Sequence, residues 1–446
     1  MFRILSTAIL TALVALPAGA QLAPEEVWQA WRSGTLDMEA AGRRMEGDAL
    51  VLDGVTATLP QGGRLLVDRV VMTPDGDAVQ VRAAPEARLS VPGERGEGAL
   101  SAPGASLSVT GRPGALVHAL DVPALSLDWP ATFGLALALD ALTGRIETGA
   151  RGIAAALSAD GGTLDIAIEG AAGRSAARQV WTAPSLDYDG PVSPSPSSPA
   201  ESRFTTEGTR IVSETENGTL RLDSGRTETE ATLAGERIAL SHLSRDSRAV
   251  IAPGPGAMPD IEADIAALEL DVDGPRMPGD AAGPAALALS LDGVSLRDET
   301  WARLDPDGVL PRDPAALALD LRATLAPESR LSAPAPRLSF DRIEIDRASI
   351  DALDAAMRAT GTLVFPDAPA SGAPPHPEGV IDLTLENAAG LIDDLAAAGI
   401  LAEVQALFAR LGLAQVTRPG ESDTSRVAEI VFGPDGSISV GGLTLR

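Results

Sequence analysis

Three histidines, His118, His242 and His376, are the side chains best suited to metal ligation or acid–base work near neutral pH. They lie far apart, and none has a partner at ligand spacing such as H-x-x-x-H, so the pattern proposes no zinc site. The chain has no Cys and no Lys, and every basic residue is Arg. A thiolate nucleophile, a Schiff-base or dyad lysine and a phosphate-loop lysine are therefore excluded. No G-x-S-x-G elbow occurs, and no Ser-His-Asp set can be read from scattered residues. Three acidic stretches, Asp75-Gly76-Asp77, Asp271-Val272-Asp273-Gly274 and Asp305-Pro306-Asp307-Gly308, begin as calcium loops do. The other EF-hand ligands and the closing Glu are missing, so ordinary Asp/Gly turns are expected at all three. In Arg312-Asp313-Pro314, Asp313 is expected to cap a short helix starting at Pro314, with Arg312 paired locally. No catalytic, cofactor-binding or metal-ligating residue is assigned, and a non-enzymatic protein is expected.

The elements that would position any site are mostly strands. Residues 1–20 read as a cleavable signal peptide: Arg3, a short apolar core from Ile4 to Leu16, Pro17, and the small-x-small site Ala18-Gly19-Ala20. That apolar run is shorter than the roughly 20 residues a spanning helix needs. Leu22–Arg44 is the first mature element, with a helix start at Pro24 and Glu25 and Glu26 in its first turn. Val27, Trp28 and Trp31 share one helical face, expected to staple the helix onto the end of a sheet. From Ala49 onward, short alternating or apolar runs such as ALVLDGVTATL, GRLLVDRVVMT and GLALALDALTG are separated by Gly, Pro and Asp turns. Their alternation predicts an antiparallel meander with one packed face and one wet face.

Gly190–Ala200 (GPVSPSPSSPA) is a Pro/Ser stretch that separates two lobes or forms a long loop. The lobes are expected over 21–189 and 201–446. Residues 201–244 alternate Glu, Thr, Arg and Ser, as in a solvated or charge-protected sheet, and Asn217-Gly218 is a hairpin turn. Leu-Asp-Gly-Val occurs at 52–55 and again at 291–294, an echo consistent with a duplicated lobe.

Near 388–412 the period changes to helical. Asn387 is a candidate N-cap, and Gly399 divides two apolar stripes: Leu391, Ile392 and Leu395, then Ile400, Leu401, Val404, Leu407, Phe408 and Leu411. Asp393, Asp394, Glu403 and Arg410 take the outer faces. The pair is expected to act as a lid over the open end of the sheet, its apolar face packed inward or bordering a lipid-sized groove. Leu391, Leu395, Ile400, Val404, Leu407, Phe408 and Leu411 are the candidate ligand or lid residues. The predicted fold is mainly β: elongated, curved antiparallel sheet in two loosely joined lobes, with an N-terminal helix and a C-terminal helical pair.

Composition narrows the partners. The net charge of -27 repels nucleic-acid phosphate and anionic membrane surfaces, so nucleic-acid binding is not expected and membrane contact is at most peripheral. Aromatics make up only 3% of the chain, as suits a thin sheet with an aliphatic core.

Residues 298–321, DETWARLDPDGVLPRDPAALALDL, carry a resemblance together with the VWQAW start and the strand-helix-helix-strand end. The chain resembles the uncharacterised secreted family of Gram-negative bacteria numbered 2125 among the domains of unknown function. Trp301, Leu304-Asp305-Pro306 and Leu310-Pro311-Arg312-Asp313-Pro314 are its most specific pieces, and the resemblance extends over nearly the whole mature chain. It implies a periplasmic location. The closing segment Asp435–Leu445 after the amphipathic helices is also similar to the ends of AsmA-like envelope proteins. That similarity implies a long curved sheet with an apolar groove and a role in phospholipid movement or outer-membrane upkeep. The AsmA-like similarity, the one-faced aliphatic strands and the lack of a nucleophile set together lead to the expectation of a non-enzymatic envelope protein that holds a lipid or other apolar ligand, or alternatively of a structural scaffold for envelope proteins. The family numbered 2125 carries no established activity.

Overall fold

Leu, Val and Ile at every second position drive most of this chain into antiparallel strands, and the few helices sit where that alternation stops. The computed structural model describes residues 22–33, 37–59, 63–90, 97–130, 133–149, 152–170, 173–191, 195, 197–215, 218–254, 260–275, 283–326, 340–366 and 376–445. The signal-peptide reading of 1–20, and Asn217 of the proposed hairpin turn, lie outside these residues. Four helices are described: α1 (Pro24–Arg32), α2 (Asp298–Leu304), α3 (Ala388–Ala397) and α4 (Glu403–Val416). The chain divides into two compact units, 1–235 with 253–257, and 236–252 with 258–446.

The first unit is built around a dry core. Pro24 opens α1, and the Glu26 carboxylate accepts a hydrogen bond from the Ala23 N–H at 3.0 Å. Val27, Trp28 and Trp31 are buried against Leu50, Leu52, Met72, Val109, Leu116 and Ile146, as the sequence predicts. The helix is shorter than the pattern suggests. Asp37–Glu46 is a strand paired along its length with Ala49–Thr58, so cross-strand hydrogen bonding outweighs the helical propensity of MEAAGRRME. Further along, strand Phe133–Gly149 forks. Its first half pairs with Gly161–Gly170 and its second with Gly152–Ser158, with Ala141 at φ 50° between the two ladders.

The Pro/Ser stretch lies inside this unit. The strands flanking it, Ser185–Gly190 and Ala200–Thr206, pair directly from Ser185–Thr205 to Asp189–Glu201. It therefore connects two neighbouring strands, and the second unit begins at Glu236 rather than at residue 201.

The Leu-Asp-Gly-Val echo is one backbone device used twice. Gly54 has φ 60° and would meet the Ala41 Cβ if given one of its own; Gly293 has φ 65° and would meet Ala266 in the same way. A left-handed residue resets the alternation of a strand. Leu50 and Leu52 point inward before Gly54, and Val55 and Ala57 point inward after it.

The second unit is a meander. Strands Arg237–Pro253, Ile261–Pro275, Gly283–Leu296, Ala315–Leu325, Phe340–Ala352, Ala355–Val364, Glu378–Glu386, Ser425–Phe432 and Ile438–Val440 each pair antiparallel with the next. Asp271-Val272-Asp273 is not a turn but the interior of a strand, where Asp273 pairs with Arg237. The α2 segment joins two strands at one end of this sheet. The α3–α4 pair joins Glu378–Glu386 to Ser425–Phe432 at that same end.

Candidate functional site

Cross-strand partners share a face of a sheet, so the register of the second unit shows which side chains form one surface. Leu268, Leu291, Leu317, Ile350, Met357 and Leu385 stand side by side in one row. The next row is Leu270, Leu289, Leu319, Ala348, Ala359, Leu383 and Ala428. A third runs Val272, Leu287, Leu321, Ile345, Gly361, Ile381, Ile430 and Val440. The fourth crosses Ala285, Ala323, Ile343, Leu363, Gly379, Phe432 and Ile438. Bulges at Asp320/Leu321 and Ile345/Ala348 keep the apolar residues of neighbouring strands on the same side.

The opposite face is polar. Arg347 meets Asp320 at 2.7 Å, Arg342 meets Glu344 at 2.7 Å, Arg358 meets Asp351 at 3.2 Å, and Arg322 meets Glu344 at 3.0 Å and also Asp346. These exposed pairs add little stability, but they identify the wet side.

The two units bury their aliphatics differently. The main core cluster is drawn from residues 22–181, and its partly buried fringe ends at Phe204. In the four rows only Ala359 is fully buried; Ile350 is exposed and the other large side chains are half-buried. Among the described residues no second sheet or helix layer of this unit is packed over them. The face is an apolar surface about 35 Å across its strands, at about 4.8 Å per strand step.

The α2 end of this sheet is held by a polar knot. Asp305 is fully buried, and its carboxylate accepts the backbone N–H groups of Val309 and Leu310, each at 2.9 Å. Burial opposes its charge, yet those bonds and the nearby Arg312 guanidinium hold its carboxyl below the usual carboxylate range. Asp305–Gly308 is thus a structural turn, with Gly308 at φ 68°. No helix begins at Pro314. The strand Ala315–Leu325 follows at once, and Arg312 lies 5.4 Å from the ring centre of Trp301 instead of pairing with a cap. The reason is positional: Ala315 and Ala316, whose N–H groups a capping Asp313 would serve, are already in the strand ladder, opposite Val294 and Asp351.

The helical pair departs most from expectation. Gly399, at φ 73°, ends α3, and the Ile400 and Leu401 N–H groups both reach the Leu395 carbonyl. Asn387 occupies the N-cap position in a left-handed conformation, but its amide donates to the Asp354 carbonyl at 3.1 Å and caps nothing. Leu391 and Leu395 are half-buried. Ile400, Val404, Leu407, Phe408 and Leu411 are exposed, Phe408 to 67%. Ala406, at 0%, is the residue of α4 that is buried, and Arg410 pairs with Asp393 of α3. Thus α4 buries Ala406 and turns Val404, Leu407, Phe408 and Leu411 to solvent, the reverse of an inward-facing lid. Leu407→Asp is expected to move stability by no more than about 0.5 kcal/mol, whereas Ala406→Asp should cost about 2–5 kcal/mol. Equal losses in thermal unfolding would show that the stripe is packed after all.

In the first unit an open groove of about 570 Å³ has Ala154 and Ala156 among its lining residues, with Arg145, Glu147, Asp187 and Asp189. Arg145 pairs with Glu147 at 2.7 Å, so the groove has the character of a charged outer surface. Among the described residues no three His, Cys, Asp or Glu side chains gather as a metal site, and no described helix is long and apolar enough to cross a membrane.

The sequence reading named the helical stripe and missed the four rows, although their signal was present. ALALSL at 286–291, ALALDL at 316–321 and IDLTL at 381–385 each place Leu or Ile at every second position.

No curated protein and no solved structure matches the chain. A family model described as "Uncharacterized protein conserved in bacteria (DUF2125)" matches residues 196–445. The matched segment takes in the four apolar rows, the Asp305 knot and the helical pair, and leaves α1 and most of the first unit outside. It covers more than half of the chain, which therefore belongs to this bacterial family, DUF2125.

Proposed function

We propose that this is a non-enzymatic periplasmic protein that shelters a lipid or other apolar ligand against the aliphatic face of its second unit. One observation carries the reading. Four mainly aliphatic rows run across six to eight strands with no covering layer among the described residues, while the reverse face is laced with Arg–carboxylate pairs. Leaving that much aliphatic surface half-wet is unfavourable by about 25 cal/mol per Å², and an apolar ligand relieves it. An uncovered one-faced sheet also agrees with the similarity to AsmA-like envelope proteins, and the signal-peptide pattern at 1–20 supports export. The absence of a nucleophile set from the sequence agrees with binding rather than catalysis.

The test is native mass spectrometry of the mature protein taken from its own periplasm, followed by organic extraction of any bound mass. A stoichiometric lipid is expected, and it should be lost when Leu289 and Leu319 are both replaced by Asp. A protein that is apo as isolated and takes up no lipid from added vesicles would overturn the reading. The alternative, a structural scaffold for envelope proteins, draws on the exposed stripe of α4; crosslinked protein partners on an apo chain would favour it.

A further inference from the structure

At the first strand two of the four rows close on polar side chains, Ser244 opposite Leu268 and His242 opposite Leu270, while the third continues into Leu240 opposite Val272. At the far end the first row closes with Arg426, opposite Leu385. Ser244 is buried and bonded to Ser247 at 2.9 Å. Burial holds His242 below the usual histidine range, so it brings no cation to its end at neutral pH.

Arg426 is different. Arg237, Arg322, Arg342, Arg347 and Arg358 lie on the polar face, and each meets a carboxylate. Arg426, a half-buried residue, leaves its strand on the apolar side, and its guanidinium has no ion pair or hydrogen bond to any described residue. The carboxylate nearest along the paired strand, Glu386, is directed to the other face and accepts a hydrogen bond from Ser422 at 3.2 Å. In a chain of net charge -27, a half-buried cation without a carboxylate is an unfilled anion position. A guanidinium offers a planar fork suited to a carboxylate or a phosphate.

Building on the apolar-ligand reading above, we propose that Arg426 seats the anionic head of an amphiphile whose hydrocarbon lies along Leu385, Leu383, Ile381 and the rows beyond. The ligand class is then a single-headed anionic lipid, with either a carboxylate or a phosphate at the head. The site discriminates by charge at one end and by aliphatic contact everywhere else.

The experiment compares three probes with the same sixteen-carbon chain: palmitate, palmitoyl lysophosphatidate and uncharged hexadecanol. Each is titrated into the full mature chain and into Arg426→Gln by calorimetry at low detergent. Wild type is expected to bind at least one of the anionic probes about tenfold tighter than hexadecanol, and Arg426→Gln should erase that ratio while leaving hexadecanol unchanged. The preferred anionic probe identifies the head as carboxylate or phosphate. Retained hexadecanol binding shows that the variant is folded. If all three probes bind wild type equally, or if the ratio survives in Arg426→Gln, the anionic seat is wrong and the apolar face stands. If none of the three binds, the apolar-ligand reading falls, and the seat falls with it.

Discussion

Trp28→Ala is expected to cost the first unit about 3–5 kcal/mol, the range for deleting a buried aromatic side chain. Trp28 is 2% exposed and belongs to the same cluster as Leu50, Leu52 and Met72, which are wholly buried. The strands Asp37–Glu46 and Ala49–Thr58 begin the sheet here, and α1 contacts both. Removing the indole leaves a cavity that two hydrogen-bonded strands cannot collapse into without losing their register. Trp28→Phe refills part of that volume and should recover half or more of the loss. Urea unfolding followed by circular dichroism separates these cases. A loss below about 1 kcal/mol for the alanine variant would mean that α1 does not close this core. The second unit predicts the opposite behaviour. Leu319 is half-exposed in a face without a covering layer, so Leu319→Ala should cost far less than Trp28→Ala in the same assay.

The contrast also explains what could be read from the sequence. Alternation identifies strands, and it did so for most of the chain, because a period of two survives whether or not the apolar face is covered. The same argument located α1, where Pro24, two acids and a Val-Trp-Trp face coincide. What alternation cannot say is what lies on top of a face. The stripe from Ile400 to Leu411 has helical spacing, and spacing alone made it look inward-facing. The structure turns it outward: Ala406 is the buried residue of α4, and Arg410 pairs with Asp393 of α3. Asp37–Glu46 was illegible for a related reason: its residues favour helix, and only the neighbouring Ala49–Thr58 strand makes it a strand. The Leu-Asp-Gly-Val echo was visible as letters. Its meaning, a left-handed glycine opposite an alanine, needed φ angles and a partner strand. Arg426 was invisible because its significance depends on which face it shares and on the absence of a carboxylate across a register that sequence does not supply.

Acidification is expected to destabilise the first unit through one buried histidine. His118 is fully buried; its Nδ1 lies 3.2 Å from the Ile146 carbonyl, and its Nε2 lies 3.4 Å from the Trp31 indole nitrogen. The carbonyl can only accept and the indole can only donate, so the ring is neutral, with its proton on Nδ1. Burial lowers its pKa to about 4, against the opposing pull of the Ile146 carbonyl. In the unfolded chain the same group titrates near 6.5. Between these values the unfolded chain takes up a proton that the folded one refuses. The stability contributed by keeping His118 neutral is therefore complete above pH 6.5, falls as pH drops from 6.5 toward 4, and is gone below 4. The span of the shift corresponds to about 3 kcal/mol. Protonation would also place a second donor against the Trp31 N–H, so the contact between α1 and the strand Ala115–Pro130 should loosen first. Trp28, Trp31, Trp129 and Trp181 all lie in the first unit and Trp301 alone in the second, so indole fluorescence reports mainly on the unit concerned. Urea midpoints at pH 7 and pH 4, measured for wild type and for His118→Gln, isolate the effect because the carboxylates titrate alike in both. The variant should be weaker at pH 7 and should lose about 3 kcal/mol less on acidification. Parallel losses in the two proteins would remove His118 from the acid response and would contradict its neutral, doubly bonded state.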